Sequence, residues 1–284
     1  MSPVDPDEQR GLMREAWERS ATGWGNRADR IRDWGMPVSV TMVDALALQP
    51  GDRVLELAAG PGDTGFMAAE LIAPGGTLIT SDGAEAMLAV ARERAQAAGL
   101  TNVEFRQLEL EWIDMDAASV DAILCRWGIM LIVDPAAAAT EIRRVLRPGG
   151  RAAFAVWDEP ARNPWATIPG RVMIELGHTE PPDPGAPGMF TLAPPGRLSE
   201  LLQSAGFAEV TVAAVALERR YARLADFVEE TVEMSPMFSA VYGELDPGAQ
   251  AEATERVIGA ARGFAAADGS VRLPGSSLVA VATA

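Results

Sequence analysis

The stretch Val54-Leu-Glu-Leu-Ala-Ala-Gly-Pro-Gly-Asp-Thr-Gly65 constrains this chain more than any other. A short apolar run enters a glycine-rich turn, and Phe66-Met-Ala-Ala-Glu-Leu-Ile72 follows with helical spacing. Together they read as the strand, turn and helix that open a nucleotide-binding βαβ unit. Gly60 and Gly62 carry no Cβ, so the backbone can bend sharply and a ligand can come close to it. The free N–H groups that open the next helix then face that ligand.

The same rhythm continues on both sides. Residues 8–47 are helical in pattern, in two pieces broken near 20–26, and read as a cover packed across the ligand edge of the sheet. Trp17, Trp24 and Trp34 in this cover read as core anchors, with Trp24, in a glycine-containing breaker segment, the one expected to meet ligand. Strands are expected at 53–58, 77–81, 103–106, 120–125 and 151–157, with helices at 84–98 and 135–146. Arg147-Pro-Gly-Gly150 reads as a clean stop before the fifth strand. Alternation of this kind makes a mostly parallel sheet with helices on both faces. After Trp157 comes a Pro- and Gly-rich segment, with Pro181-Pro-Asp-Pro-Gly-Ala-Pro-Gly188 at its centre and one helix near 166–176, which reads as a lid. Helices at 198–205, 224–234 and 247–264 and strands at 208–216 and 276–283 complete the chain, the last two strands pairing antiparallel at one sheet edge.

Charge narrows the ligand. The 284 residues, 48% of them hydrophobic, can bury one large α/β core, and the net charge of -16 argues against a nucleic-acid partner, which needs a basic surface. Cys125 is the sole cysteine, which excludes an intrachain disulfide and a thiolate metal cluster and fits a reducing cytoplasm. No metal site and no membrane span are expected, and the acidic N-terminus is unlike a signal peptide.

Acidic and glycine positions recur at successive strand ends, where open α/β sheets bind ligands: Glu56, then Gly60 and Gly62, then Asp82, then Glu109 and Glu111. Asp82, about twenty residues past the glycines, is placed to accept both hydroxyls of a ribose. A carboxylate after the third strand can accept an exocyclic adenine amine, and either Glu109 or Glu111 could be that group. Gly60 to Gly65 also fits the dinucleotide pattern G-x-G-x-x-G, a weak signal alone. Glu56 opposes it, because an anion there repels pyrophosphate and suits an ammonium. Adenosine joined to an amino acid satisfies all of these groups at once.

At these residues the chain resembles the class I methyltransferases that use S-adenosylmethionine, and among them the quinone-biosynthesis type (methyltransferase type 11) acting on small molecules. The resemblance covers 51–157 well and the C-terminal part loosely. Its motifs fall on Glu56, Ala58, Gly60 and Gly62, on Asp82 with the helix start at Ala84 to Leu88, on Glu109-Leu110-Glu111, on Asp121-Ala-Ile-Leu-Cys-Arg-Trp-Gly128 and on Leu146-Arg-Pro-Gly-Gly-Arg151. It implies a Rossmann-like, seven-stranded, mostly parallel sheet with an antiparallel last strand, plus helical N-terminal and lid insertions. It further implies a single domain over 1–284: helical cover 1–50, cofactor-binding core 51–157, lid 158–206, and C-terminal strands with a helical insertion 207–284. The cofactor set it implies is Glu56, Ala58, Gly60, Gly62, Asp82, Gly83, Met87, Glu109, Leu110, Glu111, Arg126 and Trp127. Ala58 stands where the family more often has glycine, and the Asn/Asp-Pro-Pro-aromatic motif is absent after the fourth strand, which argues against methylation of nucleic-acid bases or protein amides.

A sulfonium already activates its methyl group, so in-line positioning of a small, apolar or aromatic acceptor is the main task, helped by a general base where the acceptor must lose a proton. His178, the one histidine, sits in a polar loop and reads first as a surface residue and second as a base; Tyr221 and Tyr242 are weaker candidates, with Tyr242 carried beside His178 as a catalytic possibility. Met173, Met189, Phe190, Phe227, Met234, Met237 and Phe238 make the inserts apolar, as an acceptor pocket or plain helix packing would require. The alternatives are an NAD(P)-dependent oxidoreductase and a non-catalytic cofactor-binding scaffold.

Overall fold

A computed structural model describes residues 5–182 and 187–284. The middle of the expected proline-rich lid segment, 183–186, lies outside the described residues.

The chain begins with two long helices, α1 (Pro6–Asn26) and α2 (Ala28–Leu46). They break only at Arg27, whereas the sequence suggests a break over 20–26. The glycines responsible for that expectation serve close packing instead. A Cβ on Gly23 would stand 2.2 Å from the carbonyl oxygen of Glu233, and one on Gly25 would stand 3.2 Å from Val90.

The sheet follows: β1 (Arg53–Leu57), α3 (Asp63–Leu71), β2 (Thr77–Asp82), α4 (Glu85–Ala97), β3 (Val103–Gln107), β4 (Val120–Arg126), α5 (Pro135–Val145) and β5 (Leu146–Trp157). Then come α6 (Pro164–Glu175), α7 (Arg197–Ser204), β6 (Ala208–Tyr221), α8 (Leu224–Met234), α9 (Pro236–Glu244), α10 (Pro247–Ala261) and β7 (Val271–Thr283). The seven strands lie in the order β3-β2-β1-β4-β5-β7-β6. All pairs from β3 to β5 are parallel, and β7 runs antiparallel to both β5 and β6. The order reverses between β1 and β4, and in doubly wound sheets the crevice beyond that reversal holds the ligand.

Three departures from the sequence reading have plain causes. Arg147 to Gly150 does not end before the fifth strand but bulges within it: the register jumps from Val120 opposite Leu146 to Ala122 opposite Arg151. Both β6 and β7 run longer than expected, because beyond Trp157 opposite Ser277 they continue as a two-stranded ribbon to Tyr221 opposite Val271. That ribbon carries Arg219, Arg220 and Pro274, which hide its strand character. The third departure is α9, whose start is fixed by Ser235 accepting the Phe238 N–H.

The inserted helices have their own small core, in which Met173, Phe238 and Ala253 meet. Phe227 and Met234 belong to the main core, and Met237 is exposed. Beyond the ends of β4 and β5 an aromatic group closes the fold: Trp127 stacks on Trp157 at 4.3 Å and on Trp34 at 5.2 Å, and buried Arg219 lies over Trp34 and Trp165. Among the described residues no helix is long and apolar enough to cross a membrane, and no group of His, Cys, Asp and Glu is arranged to hold a metal ion.

Candidate functional site

The turn after β1 is built from left-handed backbone: φ is 50° at Ala58, 53° at Gly60 and 86° at Gly62. Alanine tolerates that region poorly, at a cost of about 1 kcal/mol, so the family's preference for glycine at this position has a conformational basis. The Ala58 methyl is accommodated because Gly128 faces it, where a Cβ would come within 2.4 Å. Asp82, ending β2, clamps the turn: its Oδ2 accepts the Gly60 N–H at 2.9 Å and its Oδ1 the Ala84 N–H at 3.0 Å. Burial pushes its carboxyl up to about 6 despite these two bonds.

A cavity of about 140 Å³ opens above this turn. It gathers Ala58, Gly60, Asp82, Gly83, Met87, Glu109, Leu110, Glu111, Arg126 and Trp127 from the expected cofactor set. Glu56 and Gly62 do not reach it. The reach of Gly62 is blocked by Phe66, whose ring covers it: a Cβ there would lie 2.4 Å from that ring. Glu56 is 3% exposed and sealed beneath the turn, where Oε1 accepts the Gly65 N–H at 2.7 Å. It lies inside a strand buried on both faces, where its carboxyl also meets the Thr80 hydroxyl. Glu56, expected as a partner for an ammonium, here braces the start of α3 from below.

Burial pushes the Glu56 carboxyl up to about 8, the Gly65 N–H and Arg126 opposing this. Both Glu56 and Asp82 thus hold their protons more tightly in the folded than in the unfolded protein, where carboxyls titrate near 4. Their contribution to stability is full below about pH 4 and is lost as pH rises through 6 and then 8. The apo protein is expected to melt at progressively lower temperature from pH 5 to pH 8.5, and E56Q to flatten the upper part of that fall. Thermal melts of both proteins across this range check it; parallel curves would contradict the burial of an ionisable Glu56.

The catalytic candidates lie elsewhere. His178 follows α6, its backbone N–H bonded to the Met173 carbonyl, and Tyr242 stacks on Phe238 with its hydroxyl 3.0 Å from that of Thr254. Tyr221 donates to the buried Glu230 at 2.8 Å. None of the three lines the cavity, nor do Met173, Met189, Phe190, Phe227, Met234, Met237 or Phe238.

The sequence reading missed the contribution of α1. Arg10, Met13, Arg14 and Trp17 all line the cavity. Their spacing of three and four puts them on one helical face, which is the signal that could have revealed them. Arg10 grips Glu111 with Nη2 at 2.9 Å and Nε at 3.1 Å, and the Asp134 N–H adds a further bond to Glu111 at 2.9 Å. Arg14 holds Glu109 more loosely, at 3.4 Å. Glu18 caps α4 by accepting the N–H groups of Glu85 and Ala86. Trp24 rests against Gly60 and anchors to α8 through the Met234 carbonyl. A second, open depression of about 350 Å³, bounded by Asp52, Asp121 and Arg147 to Arg151, lies at the opposite ends of the strands, away from the crevice.

Residues 48–168 match the family described as a methyltransferase domain. Over less than half of its length, then, the chain is similar to methyltransferase domains, the quinone-biosynthesis type among them. The chain is 36% identical over 121 residues to the demethylmenaquinone methyltransferase of Clavibacter sepedonicus, covering 43% of this chain and 47% of that one. It is 30% identical to the nocamycin O-methyltransferase of Saccharothrix syringae, over 61% of this chain and 65% of that one. The methyltransferase domain thus accounts for the similarity while the chain spans less than two thirds of either relative. In shape it is similar to the YcgJ protein of Bacillus subtilis, with a TM-score of 0.59 at 17% identity over 86% of this chain and 97% of that one, a likeness of fold. Nothing in these similarities favours the nicotinamide oxidoreductase alternative.

Proposed function

We propose that this chain binds S-adenosylmethionine in the cavity above the glycine turn and transfers its methyl group to a small, apolar or aromatic acceptor by in-line displacement. One observation carries the reading: Gly60, Asp82 and Glu109 converge on a single cavity at the ligand end of the sheet. Acceptor-only carboxylates on that side suit ribose hydroxyls and an adenine amine, and repel a pyrophosphate. Glu109 is the better adenine partner, because Glu111 is already engaged by Arg10 and the Asp134 N–H. Met87 and Leu110 supply apolar surface for the adenine faces.

The bound cofactor would supply a methyl group already activated by its sulfonium. The protein's own residues exclude water and set the approach: Trp24 and Trp127 border the turn, and Leu131 and Ile132 extend the apolar wall. Positioning is the catalytic contribution this reading assigns to these residues. Arg10, Met13, Arg14 and Trp17 of α1 form the outer wall of the cavity. Relatives that act on demethylmenaquinone and nocamycin support a small acceptor, and the lone, buried Cys125 goes with a cytoplasmic setting.

Calorimetric titration with S-adenosylhomocysteine, with NADH in parallel, tests this. Micromolar binding of the first alone is expected, weakened about tenfold or more in E109Q, as the loss of one charge-assisted hydrogen bond requires. Binding of NADH alone would replace this reading with the oxidoreductase one. Cofactor binding without turnover over a broad acceptor panel would favour the scaffold.

A further inference from the structure

With Glu56 sealed beneath the turn, charge recognition of the amino-acid end of the ligand falls to another residue. Arg126 ends β4 and borders the cavity together with Ala58, Gly60 and Trp127. Its guanidinium lies 4.6 Å above the Trp127 ring, and Nη1 donates to Ser39 Oγ at 3.2 Å. The other arginines on the cavity, Arg10 and Arg14, are paired with Glu111 and Glu109. Arg126 has no such pair among the described residues. The carboxylates that act on it from farther off are Asp63 and Glu56. Asp63 is committed to Arg94 at 2.6 Å, and Glu56 to the Gly65 N–H. A guanidinium largely withdrawn from water without an anion is costly, so its surroundings favour a bound one.

Topology says which anion. The order β3-β2-β1-β4 places Asp82 and Glu109 on one side of the glycine turn and Arg126 on the other. Strands about 4.8 Å apart separate the ends of β2 and β4 by roughly 10 Å. The cavity therefore has hydrogen-bond acceptors at one end and a planar, forked donor at the other. Adenosine needs the first, and a carboxylate needs the second. We propose that Arg126 is the subsite for the α-carboxylate of the cofactor's methionyl group, an assignment that rests on the cofactor reading above.

The test pairs one ligand change with one residue change. Wild-type protein is titrated with S-adenosylhomocysteine and with its decarboxylated analogue, which keeps the ammonium, and R126M and R126K are titrated with both. Loss of the carboxylate is expected to weaken wild-type binding roughly 10- to 100-fold, the range for one charge-assisted pair. R126M should show the same loss for S-adenosylhomocysteine and bind the analogue as wild type does, with R126K between. Equal wild-type affinity for the two ligands overturns the assignment without any variant. Equal weakening of both ligands in R126M also overturns it, by giving Arg126 a structural or acceptor-side role. A folded wild-type protein that binds neither ligand is a different result: the cofactor reading itself fails, and this assignment with it.

Discussion

Asp82→Ala is expected to weaken S-adenosylhomocysteine binding by 100-fold or more. The carboxylate has two jobs. It holds the Gly60 and Ala84 N–H groups at 2.9 and 3.0 Å, which shapes the turn, and its remaining lone pairs face the cavity where ribose hydroxyls are proposed to lie. Each charge-assisted bond is worth about 1.5 to 3 kcal/mol, and tenfold in affinity is about 1.4 kcal/mol, so losing two or more exceeds two decades. Asp82→Asn, which keeps one oxygen acceptor, should retain part of the affinity. Calorimetry on both variants, with melting curves to confirm folding, checks this. An alanine variant within threefold of wild type would remove Asp82 from the site.

Gly65→Ala is expected to damage the core severely. The added Cβ would stand 2.1 Å from Glu56 Oε2 and 2.6 Å from its Cδ. Glu56 lies within a buried strand, with Thr80 on its neighbour also reaching it, so it has nowhere to retreat. Displacing it breaks the bond to the Gly65 N–H and strands two buried polar groups, a loss of about 3 to 5 kcal/mol. At roughly 2 to 4 °C per kcal/mol for a chain of this size, melting falls by about 10 °C or more. Urea unfolding measures it. The double variant Glu56→Ala/Gly65→Ala should be less damaged than the sum of its parts, because the first change empties the space that the second fills. Additive losses would mean that the two residues do not meet.

Much of this was legible in the sequence because its signals are local. The glycine turn after a short apolar run, the acidic residue ending the next strand and the alternation up to Trp157 each span a few residues, and the sheet places them as expected. The glycines at 23 and 25 misled for the same reason. A glycine that breaks a helix and one that admits a neighbouring backbone look alike until Glu233 and Val90 are in place. His178 and Tyr242 drew notice by residue type alone, and type says nothing about which side of the molecule a loop or helix faces.

The sequence by itself therefore determined the doubly wound sheet, the position of the crevice at the strand ends and the sign of the charges that follow β2 and β3, since periodicity, turn chemistry and strand-end position are properties of short segments. Only the tertiary structure decided that Glu56 lies under the turn, that Glu111 is taken by Arg10 101 residues earlier, and that, among the described residues, Arg126 borders the cavity without a carboxylate partner. Those outcomes depend on which distant side chains satisfy each buried charge. Pairing of that kind is enforced by the cost of leaving a charge unsatisfied in the packed interior, and it leaves no mark on the neighbouring sequence.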